Sequence, residues 1–267
     1  MTSKGQVAEL FTKTVDDWAR FYADSKPKTL NAQNLVSRRR FALEMLESRL
    51  PSGAKVLDVG CGTGHLAAEL AQRGFEAWGL DVSDAMVRYA REHHRADRFQ
   101  VGDIERIPFL DNTFDGVMCL GVMEYLSSDE PALREMWRVL KPGGRAVITT
   151  PSSICPFHYM DRSFERLRFI FRPLVRFIRD RRGSKPPSPS ETLPIVTHRR
   201  YYRGRWLKQL NSVGFEAEDW ACHPWGCYSL ERFFDQGALC RASDRFARNY
   251  LLNWLASNQL VCVRAVK

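Results

Sequence analysis

The sequence predicts an α/β fold with a doubly wound parallel sheet, and two observations carry this prediction. Between residues 54 and 150, short apolar strands alternate with helical patterns at the spacing of βαβ units. The first of these strands ends in a turn with glycine at three alternate positions, Gly60, Gly62 and Gly64, and a helical pattern follows at once. A strand, a glycine turn and a helix in this order are typical of a sheet that binds a ligand at the end of its strands.

The glycine turn predicts a ligand that touches the backbone, because a residue without Cβ allows both a sharp turn and a close approach. A dinucleotide fingerprint would place its third glycine where this chain has His65, so that pattern fits less well. The spacing from Asp58 to Gly64, Asp-x-Gly-x-Gly-x-Gly, resembles motif I of class I S-adenosylmethionine-dependent methyltransferases. In that family the turn lies under the methionine and ribose portions of the cofactor, S-adenosyl-L-methionine.

The elements after the turn continue the pattern. A helix is predicted to about residue 73, and a second strand over residues 75–80 ends at Asp81, about twenty residues after the glycines. An acid at this position suits hydrogen bonds to two ribose hydroxyls. The alternative is that Asp81 caps the next helix, a role that Ser83 or Asp84 would serve equally well.

A short third strand leads into Gln100-Val101-Gly102-Asp103-Ile104. The resemblance implies that Asp103 binds the adenine amine while Ile104 packs on the ring, although a lone aspartate is also a common turn residue. The cofactor-binding residues that the resemblance implies are Tyr22, Asp58, Gly60, Cys61, Gly62, Gly64, Asp81, Val82, Met86, Asp103, Ile104, Leu120 and Gly121.

The remaining core resembles the ubiquinone and menaquinone methyltransferase type, in residues 107–109, 111–117 and 140–144. The fourth and fifth strands are predicted over 114–120 and 145–150, with a helix over 131–139 between them. The resemblance implies a Rossmann-like seven-stranded sheet with a C-terminal antiparallel hairpin. The sixth strand would follow Gly214, and the seventh would cover 259–266.

Helices and insertions are predicted around this core. Residues 1–50 are predicted to form an N-terminal helical lid, since Val7, Phe11 and Trp18 share one helical face and a second pattern runs over about 35–46. Trp18 and Tyr22 would line the cofactor as part of this lid or belong to the plain core. Residues 51–267 form the methyltransferase domain, with helical insertions at about 155–203 and 223–258.

The first insertion is strongly basic. Residues 161–185 hold nine Lys or Arg against three acids, and their apolar residues step by three or four. A basic amphipathic helix can lie on an anionic membrane surface, bind an anionic substrate or contact nucleic acid; alternatively, it is a lid helix whose arginines keep it soluble. The second insertion is aromatic and predicts either an acceptor pocket or additional core.

The predicted reaction is methyl transfer to an oxygen, nitrogen or carbon of a small-molecule or lipid-like acceptor, which could be anionic. No catalytic residue is assigned; the weak candidates are Tyr125, His158 and His198. Tyr125 stands where many relatives carry His, and a phenol is a poorer base at neutral pH. The net charge of +9 keeps an RNA methyltransferase as an alternative. A non-catalytic module that only holds the cofactor is a second alternative.

The composition restricts the redox state of the cysteines and the cellular location that are expected for the chain. Seven scattered cysteines without zinc spacing predict reduced thiols and no metal. No apolar run reaches the roughly twenty residues of a membrane span, and the N-terminus lacks a signal-peptide pattern. The expected location is the cytoplasm, with peripheral membrane contact as an option. The sequence does not predict the oligomeric state.

Overall fold

The computed structural model describes residues 3–23, 30–154, 198–223 and 258–267. Seven strands form one sheet in the order β3-β2-β1-β4-β5-β7-β6. Neighbouring strands from β3 to β5 are parallel, and β7 is antiparallel to both β5 and β6. The bounds are β1 Lys55–Val59, β2 Glu76–Asp81, β3 Phe99–Val101, β4 Phe114–Cys119, β5 Leu140–Pro151, β6 Phe215–His223 and β7 Asn258–Ala265. The predicted fold class, including the C-terminal hairpin, is confirmed.

The described helices are α1 Lys4–Lys13, α2 Val15–Ala23, α3 Leu30–Glu47, α4 His65–Gln72, α5 Asp84–His93, α6 Glu130–Val139 and α7 Arg203–Val213. The N-terminal apolar pattern that the sequence places on one helical face is divided between α1 and α2. The helices separate at Thr14, whose backbone N–H donates to the Phe11 carbonyl while its hydroxyl donates to the Leu10 carbonyl. These bonds satisfy carbonyl groups at the end of α1 and allow a change of direction.

The sheet separates two apolar cores. Side chains of α6 and α7, such as Met136 and Trp206, pack on one face, and side chains of α3, α4 and α5, such as Leu46 and Leu70, pack on the other. The strand predicted over 145–150 begins earlier, at Leu140, because Leu140 pairs with Phe114 before the register shifts. The sheet is therefore covered on both faces, as a parallel sheet requires.

The strand ends position the site and the insertions at one edge of the sheet. Since β1, β2, β4 and β5 are parallel, their carboxyl ends share this edge. Pro151 and His223, the last residues of β5 and β6, both pair with Asn258, the first residue of β7. Both predicted insertions therefore leave the sheet at this edge.

Most of the two insertions lies outside the described residues. This applies to the basic stretch 161–185 and to His158, whereas residues 198–203 at the end of the first insertion are described. Within the described ranges, no helix combines the length and apolar composition that a membrane crossing requires.

Candidate functional site

The glycine turn after β1 packs closely against its neighbours at Gly60 and borders open space at Gly62. Gly60, Gly62 and Gly64 all have positive φ, which L-residues rarely adopt. A Cβ on Gly60 would lie 2.2 Å from Cγ2 of Val122, so the turn passes tightly against the loop after β4. A Cβ on Gly62 would meet nothing within 4 Å, because this residue borders a cleft.

The cleft lies between the carboxyl ends of the central strands and helices α1 and α2. Its empty space, open solvent included, is about 990 Å³. Most of the residues predicted to bind the cofactor line this cleft: Tyr22, Gly60, Gly62, Asp81, Val82, Met86, Asp103, Ile104, Leu120 and Gly121. The structure thus brings together side chains that are up to 99 positions apart along the chain.

Asp81 lies at the floor of the cleft. Its Oδ2 accepts a hydrogen bond from the Gly62 backbone N–H at 2.8 Å, and its Oδ1 accepts one from the Ser83 N–H at 2.9 Å. Ser83, not Asp81, caps α5 by accepting from the Met86 N–H. Burial raises the pKa of Asp81, and the backbone donors oppose that shift. Since a carboxylate oxygen has two lone pairs, both oxygens can still accept ribose hydroxyls.

Asp103 lies toward the other end of the cleft and is tied to the first helix. Its Oδ2 accepts from Nζ of Lys4 at 2.5 Å, and its Oδ1 accepts from the Glu105 N–H at 2.9 Å. The Lys4 ammonium also contacts Glu105 at 2.5 Å. Ile104, next to Asp103, is buried and lines the cleft. A polar edge and an apolar surface are therefore adjacent, which is what an adenine ring needs.

Aromatic rings from α1 and α2 cover the cleft. Trp18 stacks on Tyr22 with ring centroids 6.0 Å apart, and Phe11 meets Tyr125 edge-to-face at 5.4 Å. Tyr22 in turn stacks on His65 at 5.7 Å. Burial, together with nearby positive charge, lowers the pKa of His65 to about 4, so the ring is neutral at pH 7. These contacts between uncharged rings hold α2 against the start of α4.

The three other predicted cofactor residues lie beside the cleft. Asp58 and Cys61 line a smaller cavity next to the glycine turn, whereas a Cβ on Gly64 would lie 2.8 Å from Cβ of Ala90 in α5. Oδ2 of Asp58 is buried and has no hydrogen-bond partner among the described residues. Burial, with a smaller contribution from Asp81, raises the pKa of Asp58 to about 8.

Comparison with known proteins identifies the family. A family model described as a methyltransferase domain matches residues 57–148. A demethylmenaquinone methyltransferase of Tropheryma whipplei is 31% identical over 205 residues, which are 73% of this chain and 79% of that protein. The chain belongs to the class I S-adenosylmethionine-dependent methyltransferases. The family predicted from the glycine turn is confirmed.

Two further comparisons place this methyltransferase among its relatives. A malonyl-acyl-carrier-protein O-methyltransferase of Erwinia pyrifoliae is 34% identical over 145 residues, 48% of this chain. The match spans 55% of that relative, so the methyltransferase spans about half its length. The structure of magnesium protoporphyrin IX methyltransferase from Synechocystis aligns over 98% of this chain and 100% of its own, with a TM-score of 0.63 and 16% identity. That likeness supports the fold.

The candidate bases of this methyltransferase have different surroundings. Tyr125 lines the cleft, and burial, together with the nearby Glu124 carboxyl, raises its pKa, which disfavours it as a base. The ring of His198 lies 4.9 Å from that of Tyr125, and burial and the charge of Arg200 lower its pKa. His198 is therefore neutral at pH 7 and can accept a proton. Of the candidates within the described residues, His198 has the more suitable chemistry.

Several cleft residues do not follow from sequence motifs. A short basic run such as residues 38–40 usually lies on a solvated face, yet Arg38 borders both cavities and donates from Nη2 to the Tyr22 hydroxyl at 3.3 Å. Its spacing from the buried Leu35 and Ala42 on α3 was the available signal. Glu124 also lines the cleft, whereas the preceding Met123 is fully buried.

The remaining question about the described residues is their supply of possible metal ligands and reactive thiols. Within the part of the chain that the structure describes, no group of three or more His, Cys, Asp or Glu side chains is placed to hold a metal ion. The four described cysteines, Cys61, Cys119, Cys222 and Cys262, are buried and unpaired. Burial raises the pKa of each of these thiols, which makes them poor nucleophiles.

Proposed function

We propose that this chain transfers the methyl group of S-adenosylmethionine to a small, lipid-like acceptor by in-line displacement at the sulfonium. The observation that carries the proposal is the order of groups along one cleft. Gly62 follows β1, Asp81 ends β2, and Asp103 with the apolar Ile104 follows β3; β2 lies between β1 and β3 in the sheet, so these groups line the cleft in that order. This order matches the methionine, ribose and adenine portions of the cofactor.

The residues present fit that cofactor. The open space beside Gly62 is where a ligand would approach the main chain, and Asp81 retains lone pairs for two hydroxyls. When bound, the cofactor supplies a methyl group on a positively charged sulfur that needs no further activation. The task of the protein is then positioning, which can lower a barrier by about 7 to 11 kcal/mol.

The chain's own residues would orient the reactants and exclude water. Asp81 fixes the ribose, while Trp18 and Tyr22 cover the cleft from α2 and keep solvent away from the reacting atoms. A base is required only for an acceptor that enters protonated. We assign that proton to the neutral imidazole of His198, next to Tyr125 at the cleft wall.

The lipid-like nature of the acceptor is supported by the cleft residues that the cofactor motifs do not claim. They include the apolar and aromatic side chains of Val7, Phe11, Trp18, Tyr125 and Leu126, beside the charged Lys4, Arg38 and Glu124. Such a surface favours flat or apolar molecules over strongly hydrated ones. The Tropheryma relative is named for a quinone, demethylmenaquinone, which is a molecule of this kind.

The test has two stages. Isothermal titration calorimetry with S-adenosylhomocysteine should show a single site, and a cofactor-release assay against quinols, phenols, acyl thioesters and RNA should show turnover with an apolar small molecule. The absence of cofactor binding would reject the proposal. Turnover with RNA alone would support the RNA alternative. Tight binding without turnover on any substrate would support a module that only holds the cofactor.

A further inference from the structure

A patch of exposed cations and apolar side chains lies beside the cleft, where the first insertion leaves and rejoins the sheet. We call it the cationic shelf; it consists of Ile154, Tyr202, Arg203, Arg205 and Lys208. Ile154 and Tyr202 are 49% and 54% exposed. The Ser153 N–H donates to the Tyr201 carbonyl at 3.0 Å, so these two segments run side by side. Apolar and cationic groups therefore share one surface.

The positive charge of the shelf is not compensated locally. Residues 198–213 contain five Lys or Arg and no Asp or Glu, and Arg199 is held by the buried Asp129. Among the described residues, Arg205 and Lys208 take part in no hydrogen bond or ion pair. They lie on the exposed side of α7, because its buried side is occupied by Trp206 and Leu210. These two side chains are free to meet an external anion.

The shelf is connected to the cleft wall through residues 198 and 199, which precede Tyr202 along the chain. His198 contacts Tyr125 at the cleft wall, and the Arg199 N–H donates to the Glu124 carbonyl at 3.0 Å. Tyr202, which belongs to the shelf, lies four residues after His198 in the chain. A molecule that enters the cleft past Tyr125 therefore passes close to the shelf.

We propose that the cationic shelf docks the protein on an anionic lipid bilayer. Lysine and arginine are attracted to anionic headgroups, while the phenol of Tyr202 and the aliphatic Ile154 suit the interfacial region. Single-stranded nucleic acid would use the arginines and the tyrosine, but an aliphatic side chain offers it neither stacking nor charge. The inference rests on the proposed function in one respect: it names the bilayer as the source from which a lipid-like acceptor reaches the cleft.

The experiment is co-sedimentation of the full chain with vesicles of phosphatidylcholine, with or without phosphatidylglycerol. The test variant is Arg205→Glu with Lys208→Glu; Arg203 is left intact because it lies over the Trp220 ring at 4.5 Å. The control variant, Arg88→Glu with Arg106→Glu, changes the net charge equally at two exposed cations near the opposite edge of the sheet.

The expected results follow from the energy of each contact. A cation near an anionic surface contributes roughly fivefold to partitioning, so losing two should lower binding by roughly 25-fold, and reversal should lower it further. The control should bind within a few-fold of wild type. Ile154→Ser with Tyr202→Ser should weaken the binding that persists at high salt, where exposed charges are screened.

Equal binding of wild type to neutral and anionic vesicles would overturn the inference, as would equal binding by the test and control variants. Tighter binding to oligouridylate than to anionic vesicles, lost in the test variant, would overturn it in favour of nucleic acid. Calorimetry with S-adenosylhomocysteine on each variant reports on folding and the cofactor site. Failure of vesicle binding with normal calorimetry rejects the shelf alone, whereas failure of calorimetry in the wild type rejects the proposed function.

Discussion

Asp129 accepts two parallel hydrogen bonds from the guanidinium group of Arg199, 70 positions later in the chain, with both N–O distances at 2.8 Å. The Tyr201 hydroxyl lies 2.7 Å from the same carboxylate and 2.8 Å from the Met123 carbonyl. The segment that follows the first insertion is thereby clamped to the turn Met123–Tyr125, which carries Glu124 and Tyr125 into the cleft wall. The position of Glu124 and Tyr125 in the cleft wall thus depends on one buried carboxylate, that of Asp129.

Removing Arg199 should destabilise the protein measurably. Asp129 is 1% exposed, but Arg199 is 39% exposed and the Tyr201 hydroxyl still donates to the carboxylate in the variant, so the loss should be about 1 to 3 kcal/mol. Urea denaturation of Arg199→Ala should show this loss. Arg264→Ala, which breaks an exposed pair with Glu216, should cost clearly less, because solvent screens that pair. Similar losses in both variants would contradict the role given to the clamp.

Asp81→Ala should weaken cofactor binding while the fold stays intact. Hydrogen bonds to a charged group contribute about 1.5 to 3 kcal/mol, which corresponds to roughly 10- to 150-fold in Kd. Calorimetry with S-adenosylhomocysteine measures the change. The control is Asp97→Ala, which removes a carboxylate that is 68% exposed and lies outside the cleft lining. Unchanged affinity in Asp81→Ala would reject the assignment of the ribose to this residue.

Asp103→Ala should lose about 1 to 3 kcal/mol of cofactor affinity, because a buried adenine amine would have no acceptor. Lys4→Met removes the ion pair of Asp103 but leaves its carboxylate, the proposed hydrogen-bond acceptor for adenine. Exposed ion pairs contribute less than about 1 kcal/mol. Calorimetry on both variants separates the two roles of Asp103. If Lys4→Met weakens binding as much as Asp103→Ala, closure by α1 outweighs adenine recognition.

Gly62→Ala and Gly53→Ala form a matched pair. Both glycines have positive φ, and a Cβ on either meets nothing within 4 Å, so the backbone strain of the two variants is comparable. Only Gly62 lines the cleft. Thermal melts should therefore shift by similar amounts, while calorimetry should show weakened cofactor binding for Gly62→Ala alone. Equal affinity in the two variants would mean that the ligand does not approach the backbone at Gly62.

Asp58→Asn should change how stability depends on pH. The pKa of Asp58 is raised from an ordinary value of 3.8 to about 8, so the unfolded chain loses this proton first. Stability from this group is complete below about pH 4, falls as the pH rises and levels off above about pH 8. Thermal melts of the apo-protein should therefore decline less across that window in Asp58→Asn. Parallel wild-type and variant profiles would show that Asp58 titrates normally.

The sequence located the strand-end residues that line the cleft, because their signals are local. Asp81 is the last residue of β2, Gly62 and Asp103 lie within three residues of the ends of β1 and β3, and parallel strands bring their carboxyl ends to one edge. The order of the strands in the sheet could be predicted from the alternation of strands and helices together with the family resemblance. The start of β5 was missed because its first pairing, Leu140 with Phe114, precedes a register shift that has no simple sequence signal.

The long-range contacts around the cleft could not be predicted because their partners are distant in sequence. Lys4 meets Asp103 across 99 positions, and Asp129 meets Arg199 across 70. A charged residue within a basic run, such as Arg38, is usually solvated, and only its spacing from buried neighbours indicates otherwise. Tertiary packing, which a single sequence does not display, decides such cases.

The shared pairing of Pro151, Asn258 and His223 at one edge has an evolutionary consequence. Both insertions are attached at a single line of the sheet, next to the cleft but outside the strands that carry the glycine turn and the two acids. Their length and sequence can change without altering the register of any central strand. The strands that carry the glycine turn and the two acids can therefore be inherited unchanged while the segments attached at this edge diverge among related chains.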